Sequence, residues 1–318
     1  DILLKELLDL NIIKDLNEIK AVGHRVVQGA DKYDDSVVIT DEVVKNIEKF
    51  ASLAPLHNPA NLIGYQAVKE KLKDAKHVAI FDTAFHQSIP KVKYTYPLPL
   101  EFLDLKVRKY GFHGTSHKYI TEYMQKYLNK DKVNLIICHI GNGASITAVK
   151  DSKSFDTSMG FTPVSGLMMG TRCGDIDISI APYIMEELNI SIEEFMNICN
   201  KKSGLLGISE YSSDSRDIEA KVEEKDEKAI LATDIYADKV VNYIANYYFA
   251  LEGKLDGIVF TAGIGENSNT TRKRIIDKLK CIDIYLDEKI NDEEFNPETE
   301  ITLTEARKID KLKEVGDT

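Results

Sequence analysis

Short apolar segments separated by polar turns follow one another along the chain. The segment IKAVGHRVV predicts a buried strand that enters a turn at QGA, and KHVAIFDTAFH predicts a strand that ends at Asp82. Between them, the apolar spacing predicts helices over about 41–52 and 58–73. A strand, two helices and a second strand are typical of an α/β unit.

The second half of the chain predicts a larger unit of mixed composition. VNLIICHIGNGASITAV predicts a hairpin in which two β-rich segments are joined by a Gly-Asn-Gly turn. DTSMGFTPVSGLMMGTRCGDID contains too many glycines for one regular element and predicts a long ordered loop. Helices then dominate to about residue 253, with an N-cap expected at Ser191 and Glu194 three residues later. LDGIVFTAGIGENS predicts a strand, a glycine turn and a helix that starts near Asn267.

A chain of 318 residues predicts two domains rather than one. The Pro-containing stretch PKVKYTYPLP suits a linker region, so we expect an N-terminal domain over 1–86 and a C-terminal domain over 87–318. The last ~30 residues are a candidate return to the first domain. Because the chain starts with Asp rather than Met, we expect it not to be a complete gene product.

The charge balance narrows the class of partner. A net charge of -11 and a pI of about 5.2 argue against nucleic acid or an anionic membrane surface as the partner. No apolar run approaches the roughly 18 residues that a membrane span needs. The four cysteines form no CxxC pair, which predicts a cytoplasmic protein with free thiols.

The segment KYGFHGTSHKY places His113 and His117 four residues apart. Two metal ligands at this spacing share a face only where the intervening backbone is helical. Gly114 follows His113 directly, and Thr115 is the expected N-cap of the helix SHKYITEYMQKYL. His113 would then precede the helix, so a site for an anion at the helix start is favoured over a zinc pair.

Two arginines and one carboxylate lie in segments that suggest chemistry. Arg172 is flanked by small residues, so its guanidinium can reach a carboxylate or phosphate, or else brace the loop by a salt bridge to Asp175 or Asp177. Arg25, at the end of an apolar strand, has the same two interpretations. Asp82 ends a strand, a common place for a carboxylate that holds Mg²⁺ or a reacting group, although a capping role is the alternative.

Two glycine turns resemble phosphate-binding loops without matching a known fingerprint. HIGNGAS joins strand to strand, where a plain hairpin turn is the alternative, and TAGIGENS joins strand to helix but lacks the Lys and Ser/Thr of a P-loop. Together they suggest backbone N–H groups that face phosphates from two sides of a cleft. A nucleotide bound between two α/β domains would use such a pair.

Eight motifs in this order and rough spacing make the chain, over about residues 20–285, resemble the acetate kinases: GHRVVQGA, APLHNP, FDTAFH, YGFHGTSH, HIGNGASI, GFTPVSGLMMGTRCGDID, SSDSRDIE and FTAGIGENS. The resemblance implies the two-domain α/β fold of the acetate and sugar kinase, Hsp70 and actin superfamily, which is ribonuclease H-like, with nucleotide in the interdomain cleft. It also implies a homodimer, Mg²⁺ (or Mn²⁺), and reversible phosphoryl transfer between ATP and acetate that gives acetyl phosphate and ADP.

The resemblance also implies roles for individual residues. The catalytic set would be Arg25 and Arg172 on the carboxylate and phosphoryl group, His113 as a donor to that group, Asp82 orienting acetate and Mg²⁺, and His57 in support. The pocket for the acetate methyl would comprise Val27, Leu56, Phe112 and Pro163. The nucleotide would be bound by Asn142, Gly143, Asp214, Ser215, Arg216, Gly263, Ile264 and Asn267.

The chain departs from the family pattern at several places. Gln28 stands where the family commonly has His, Ala30 where it has Gly, Cys173 where it has Ser, and Ser215 where an aromatic residue is frequent. The family's opening Asn-x-Gly-Ser-Ser-Ser loop is absent, and its C-terminal PT-x-E-E segment is not recognisable in TEARKIDKLKEVGDT. Propionate kinase and a nucleotide-binding fragment without turnover are therefore the alternatives to acetate kinase, ahead of an Hsp70- or actin-like binding module.

Overall fold

A computed structural model of the protein describes residues 2–55, 57–292 and 312–314. The predicted pocket residue Leu56 and the C-terminal segment apart from 312–314 lie outside these ranges. The α-helices are α1 (Ile2–Asp9), α2 (Asp41–Lys49), α3 (Asn58–Lys71), α4 (Lys91–Tyr94), α5 (Gly114–Tyr127), α6 (Ile180–Leu188), α7 (Ile192–Lys201), α8 (Gly204–Ser209), α9 (Ser215–Glu223), α10 (Glu227–Ala250), α11 (Ala262–Asn267), α12 (Asn269–Ile276) and α13 (Glu288–Asp292).

The strands are β1 (Ala21–Val26), β2 (Val37–Val38), β3 (Lys76–Phe81), β4 (Leu135–Ile140), β5 (Ala144–Lys150), β6 (Lys153–Thr157), β7 (Gly257–Thr261), β8 (Ile284–Leu286) and β9 (Leu312–Glu314). Short 3₁₀ helices cover Leu16–Glu18, Phe50–Leu53, Ala84–Ser88, Leu100–Leu103 and Asp277–Ile282. The described chain divides into two compact units. Unit 1 comprises Asp1–Gln87 and Phe112–Thr115, and unit 2 comprises Ser88–Gly111 and Ser116–Thr318.

Unit 1 contains a three-stranded sheet in the order β1-β3-β2, in which β1 and β3 run parallel and β2 is antiparallel to β3. Its helix α2 begins after the N-cap Thr40, whose side chain accepts from the Val43 N–H, and it buries Val43 and Ile47 on one face. These side chains pack with residues of α3 and of the sheet in one apolar core. The core comprises Val26, Tyr33, Ile39, Val43, Ile47, Leu62, Tyr65, Ala79 and Phe81.

Unit 2 contains a four-stranded sheet in the order β6-β5-β4-β7. The β4–β5 pair is the predicted hairpin, and β7 runs parallel to β4. Five of the six β4 residues and the first six of β5 are buried, so both strands are covered on both faces, and α10 packs against them. The predicted cap at Ser191 is confirmed as a full capping box with Glu194 at the start of α7.

Three sequence-based boundaries were wrong. The predicted strand IKAVGHRVV is shorter, and β1 leaves Ala21, Gly23 and Arg25 exposed, because among described residues it pairs only with β3. The predicted glycine turn TAGIGENS is itself the short helix α11, which starts at Ala262 directly after β7. The third concerns α5, which begins at Gly114 rather than after a cap at Thr115.

The start of α5 is fixed by contact with the end of β3. The Gly114 N–H donates to the Asp82 carbonyl at 2.9 Å, and a Cβ placed on Gly114 would lie 2.2 Å from that oxygen. Only glycine permits this approach without a backbone shift. The preceding residue, His113, has a positive φ of 56°, so it lies outside the helix as predicted.

We expect Gly114→Ala to destabilise the protein by about 1–3 kcal/mol, because the added methyl group meets a backbone oxygen that a rotamer change cannot move. The matched control is Gly64→Ala inside α3, where a Cβ meets nothing within 4 Å. That variant should be stabilised by about 0.5–1 kcal/mol. Urea denaturation measures both, and equal stabilities for the two variants would contradict the close approach at Gly114.

Candidate active site

Unit 1 places Arg25 and Asp82 together at the carboxyl ends of two parallel strands. Arg25 is the fifth residue of β1, and Asp82 directly follows β3. The Arg25 Nε donates to Asp82 Oδ1 at 2.9 Å and its Nη2 donates to Oδ2 at 2.6 Å. These hydrogen bonds raise the pKa of Arg25. The Asp82 side chain is 4% exposed but that of Arg25 is 66% exposed, so the guanidinium can bind a further anion.

His113 and His57 each directly precede an α-helix. His113 is placed by its neighbour Gly114, whose N–H donates to the Asp82 carbonyl. His57 is the N-cap of α3, with a φ of -122° and a ψ of -58°, and its carbonyl accepts from the Asn61 N–H at 2.9 Å. Both histidines therefore stand beside backbone N–H groups of a first helical turn, where an anion is favoured.

The predicted apolar pocket is only partly within one unit. Val27 and Phe112 are both in unit 1 and are 6% and 2% exposed. Val27 directly follows β1 and is not a member of the apolar core that includes its neighbour Val26. Pro163 lies in the long loop of unit 2 and is partly exposed.

In unit 2, the Gly-Asn-Gly turn between β4 and β5 is tied to the long loop that follows β6. The Gly141 N–H donates to the Gly143 carbonyl at 3.2 Å, which closes the turn. The Gly170 N–H donates to the Asn142 carbonyl at 3.0 Å, and a Cβ on Gly170 would lie 1.9 Å from Asn142 Oδ1. The glycine at 170 is therefore needed for the loop to reach the turn.

The loop was predicted to be ordered, and from Ser158 to the start of α6 it has no helix or strand but many hydrogen bonds. Within it, Arg172 is partly buried and burial lowers its pKa. The only hydrogen bond from its side chain to a described residue is a weak one, from Nη1 to Met169 Sδ at 3.6 Å. A partly desolvated cation without a carboxylate is costly, and a bound anion removes that cost.

The alternative interpretation of Arg172, a salt bridge that braces the loop, was wrong. The Asp175 carboxylate accepts from the Ser165 hydroxyl, the Gly166 N–H and the Tyr243 hydroxyl instead. Asp177 accepts from the Ser179 N–H. Hydroxyl and backbone donors thus hold these carboxylates, so Asp175 shapes the loop without neutralising the arginine.

A cleft of about 520 Å³ opens in unit 2 between the turn at Asn142, the start of α9, and α11. This volume suits a nucleotide-sized ligand. Seven of the eight predicted nucleotide-binding residues line it, namely Asn142, Asp214, Ser215, Arg216, Gly263, Ile264 and Asn267. The eighth, Gly143, belongs to the turn but is not among the lining residues.

Asp214 and Arg216 form an ion pair at the edge of this cleft. Asp214 is the N-cap of α9, where its Oδ1 accepts from the Arg216 N–H at 3.0 Å. The Arg216 guanidinium also binds both carboxylate oxygens, at 3.0 and 2.6 Å. Hydrogen bonds from Arg216 lower the pKa of Asp214 to about 2. The Arg216 side chain is 86% exposed, so it can turn toward a phosphate.

Sequence reasoning missed four residues that line the cleft: Gly141, Ser213, Glu219 and Ser268. The sequence carried a signal for each of them. Glu219 follows Ser215 by four residues on α9, and residues at this spacing share a helix face. All four also lie in motifs quoted above: Gly141 in HIGNGAS, Ser213 and Glu219 in SSDSRDIE, and Ser268 in TAGIGENS.

Comparison with known proteins gives a consistent result. Residues 1–312 match the Acetokinase family. The acetate kinase of Bacillus subtilis (strain 168) is 51% identical over 292 residues, which cover 91% of this chain and 74% of that protein. The acetate kinase of Bacillus anthracis is 50% identical over 294 residues, with 92% and 74% covered.

Solved structures agree in fold. The Porphyromonas gingivalis acetate kinase superposes with a TM-score of 0.87 at 42% identity, covering 92% of this chain and 75% of that one. A propionate kinase from Francisella tularensis subsp. tularensis SCHU S4 gives the same TM-score at 45% identity, with 91% and 74% covered. The predicted fold class is confirmed, and the chain belongs to the Acetokinase family.

Proposed function

We propose that the protein transfers the γ-phosphoryl group of ATP reversibly to acetate, giving acetyl phosphate and ADP. The observation that carries the proposal is Arg172, a partly buried guanidinium without an anionic partner among described residues, on a loop tied to the Asn142 turn of the nucleotide cleft. A transferred phosphoryl group and a carboxylate are the anions that such a group recognises.

In this proposal the residues act by binding and by neutralising charge. Phosphoryl transfer needs an in-line arrangement and stabilisation of charge on the transferred group more than a protein nucleophile. Arg172 and Arg25 hold the acetate carboxylate and the phosphoryl oxygens, and His113 donates a hydrogen bond to the phosphoryl group. Asp82 keeps Arg25 oriented through both carboxylate oxygens, and His57 supports the site.

The site would use Mg²⁺ or Mn²⁺ brought with the nucleotide. Among the described residues, no group of three or more His, Cys, Asp or Glu side chains could hold a metal ion. Mg²⁺ is commonly held by substrate phosphates, waters and one or two carboxylates. The proposed carboxylate is Asp82, through a water molecule; both of its oxygens accept from Arg25, so it would share its lone pairs between the guanidinium and that water. Bound there, the ion would neutralise phosphate charge.

Two further properties belong to this proposal. Helix α6 and the segment before it leave Ile178, Tyr183 and Leu188 more than half exposed, at 86%, 63% and 60%, and we propose that a second copy of the chain covers them in a homodimer. Light scattering that gives the mass of one chain would contradict the homodimer.

The free cysteines and the use of ATP favour a cytoplasmic location. Within the described ranges, no helix is long and apolar enough to span a bilayer.

Hydroxylamine trapping of acyl phosphate tests the activity directly. With ATP, Mg²⁺ and acetate, we expect acetyl hydroxamate to accumulate only when all three are present. The rival interpretation, a nucleotide-binding chain without turnover, predicts ADP binding with no hydroxamate. Hydroxamate formation with propionate but not with acetate would support the interpretation as a propionate kinase. One of the similar solved structures carries that name.

We expect Arg172→Ala to lower kcat by on the order of 10³–10⁵, because the lost charge acts mainly on the transferred phosphoryl group. Arg172→Lys should recover little activity, since an ammonium group lacks the planar fork. The same Arg→Lys change at Arg274, which pairs with Asp234 at 2.5 Å, should leave kcat near that of the wild type. Wild-type turnover in a folded Arg172→Ala protein would exclude a catalytic role for this arginine.

We expect Val27→Ala to move acceptor preference from acetate toward propionate, because it enlarges the proposed methyl pocket by two methyl groups. One methylene is worth about 1–3 kcal/mol in such a pocket. The measurement is the ratio of kcat/KM for the two acids. Val26→Ala is the matched control, since Val26 is as buried but belongs to the core, and it should lower stability without changing the ratio. An unchanged ratio in Val27→Ala would remove Val27 from the pocket.

A further inference from the structure

Glu219 lies in the nucleotide cleft with one carboxylate oxygen fully engaged. Its Oε1 accepts from the hydroxyl groups of three residues at the start of α12: from Ser268, from Thr270 at 2.8 Å and from Thr271 at 3.3 Å. Three donors on one oxygen fix the side chain in one orientation. They come from a different helix, so the side chain is held across the wall of the cleft.

The second oxygen, Oε2, has no hydrogen-bond partner among the described residues, although Glu219 lines the cleft. A carboxylate oxygen can only accept, so what it lacks is an N–H or O–H donor. The hydroxyls that hold Oε1 leave Oε2 preorganised for a ligand in the cleft.

The charge of Glu219 decides which part of a nucleotide it faces. Phosphates beside a carboxylate would be repelled, so they belong at the other end of the cleft. Gly141, in the Gly-Asn-Gly turn, packs at the start of α11, where its Cβ would lie 3.7 Å from the Ala262 Cβ. Ser268, which contacts Glu219, follows the end of α11. The six residues of α11 separate these ends by about 9 Å at 1.5 Å per residue, so Glu219 is at the nucleoside end.

We propose that Glu219 is a specificity-determining residue that accepts a hydrogen bond from a donor on the nucleoside. The inference rests on the proposed function, because it assumes ATP and ADP in this cleft. Two groups of adenosine carry such a donor, the exocyclic amine of the base and the ribose hydroxyls. A base with a carbonyl oxygen in place of the amine presents an acceptor, which Glu219 would reject.

The test compares wild type and Glu219→Gln by titration calorimetry with ADP, IDP, 2′-deoxy-ADP and 3′-deoxy-ADP. Glutamine keeps an oxygen for the three hydroxyls and replaces Oε2 by an NH₂ group. We expect ADP to bind Glu219→Gln about tenfold more weakly, as for loss of a charged hydrogen bond. If the amine is the donor, wild type and Glu219→Gln should bind IDP without this difference in affinity. If a ribose hydroxyl is the donor, the difference should disappear with the deoxy nucleotide that lacks that hydroxyl.

Glu223→Gln is the matched control, since Glu223 is an exposed residue one turn further along α9 that does not line the cleft. It should bind all four nucleotides like the wild type. Wild-type affinity of Glu219→Gln for ADP, or an equal loss for all four nucleotides, would overturn the inference. If Glu219→Gln does not fold, the wild-type series alone decides, because equal affinity for ADP and its three analogues also overturns it.

Binding is measured without turnover, so the two proposals fail separately. Hydroxamate formation with no discrimination among nucleotides would leave the acetate kinase activity standing and reject the role of Glu219. Discrimination among nucleotides with no hydroxamate would support the role of Glu219 and reject the acetate kinase activity.

Discussion

The arrangement of unit 1 depends on Asp82, which binds through both its side chain and its main chain. The carboxylate accepts from two nitrogens of Arg25 on β1, and the carbonyl accepts from the first residue of α5. One residue at the end of β3 therefore fixes an arginine and a helix start together. Because the carboxylate is almost fully buried, its negative charge is balanced by the guanidinium rather than by water.

Unit 2 depends on glycines instead, which let the loop that carries Arg172 approach the turn at Asn142. Gly170 contacts Asn142 where no Cβ fits, and Gly204, with a φ of 64°, would place a Cβ 2.0 Å from the Met169 carbonyl. The loop between these contacts carries Arg172. The desolvation that lowers the pKa of this arginine is therefore produced by packing around it, and the loop is held by backbone bonds and Asp175 instead of by an ion pair.

Much of this could be predicted from the sequence, because the signals were local. The β4–β5 hairpin, the cap at Ser191 and the ordered loop follow from turn chemistry and apolar spacing within a few residues. The start of α5 could not be predicted, since Gly114 is in the helix only because a residue 32 positions earlier accepts its N–H. The orientation of Glu219 could not be predicted for a similar reason, because the hydroxyls that hold it belong to residues 268–271, about 50 residues away.

Unit 1 is discontinuous in the chain, and this has a consequence for biosynthesis. Residues 88–111 belong to unit 2 and lie between the bulk of unit 1 and its last segment, Phe112–Thr115. On the ribosome, the sheet of unit 1 emerges before the glycine that closes onto Asp82. At about 5–20 residues per second, the 32 residues between Asp82 and Gly114 take roughly 2–6 seconds to synthesise. Until Gly114 has emerged, the Asp82 carbonyl lacks its donor from α5, so unit 1 is completed only after residues 88–111 of unit 2 have been synthesised.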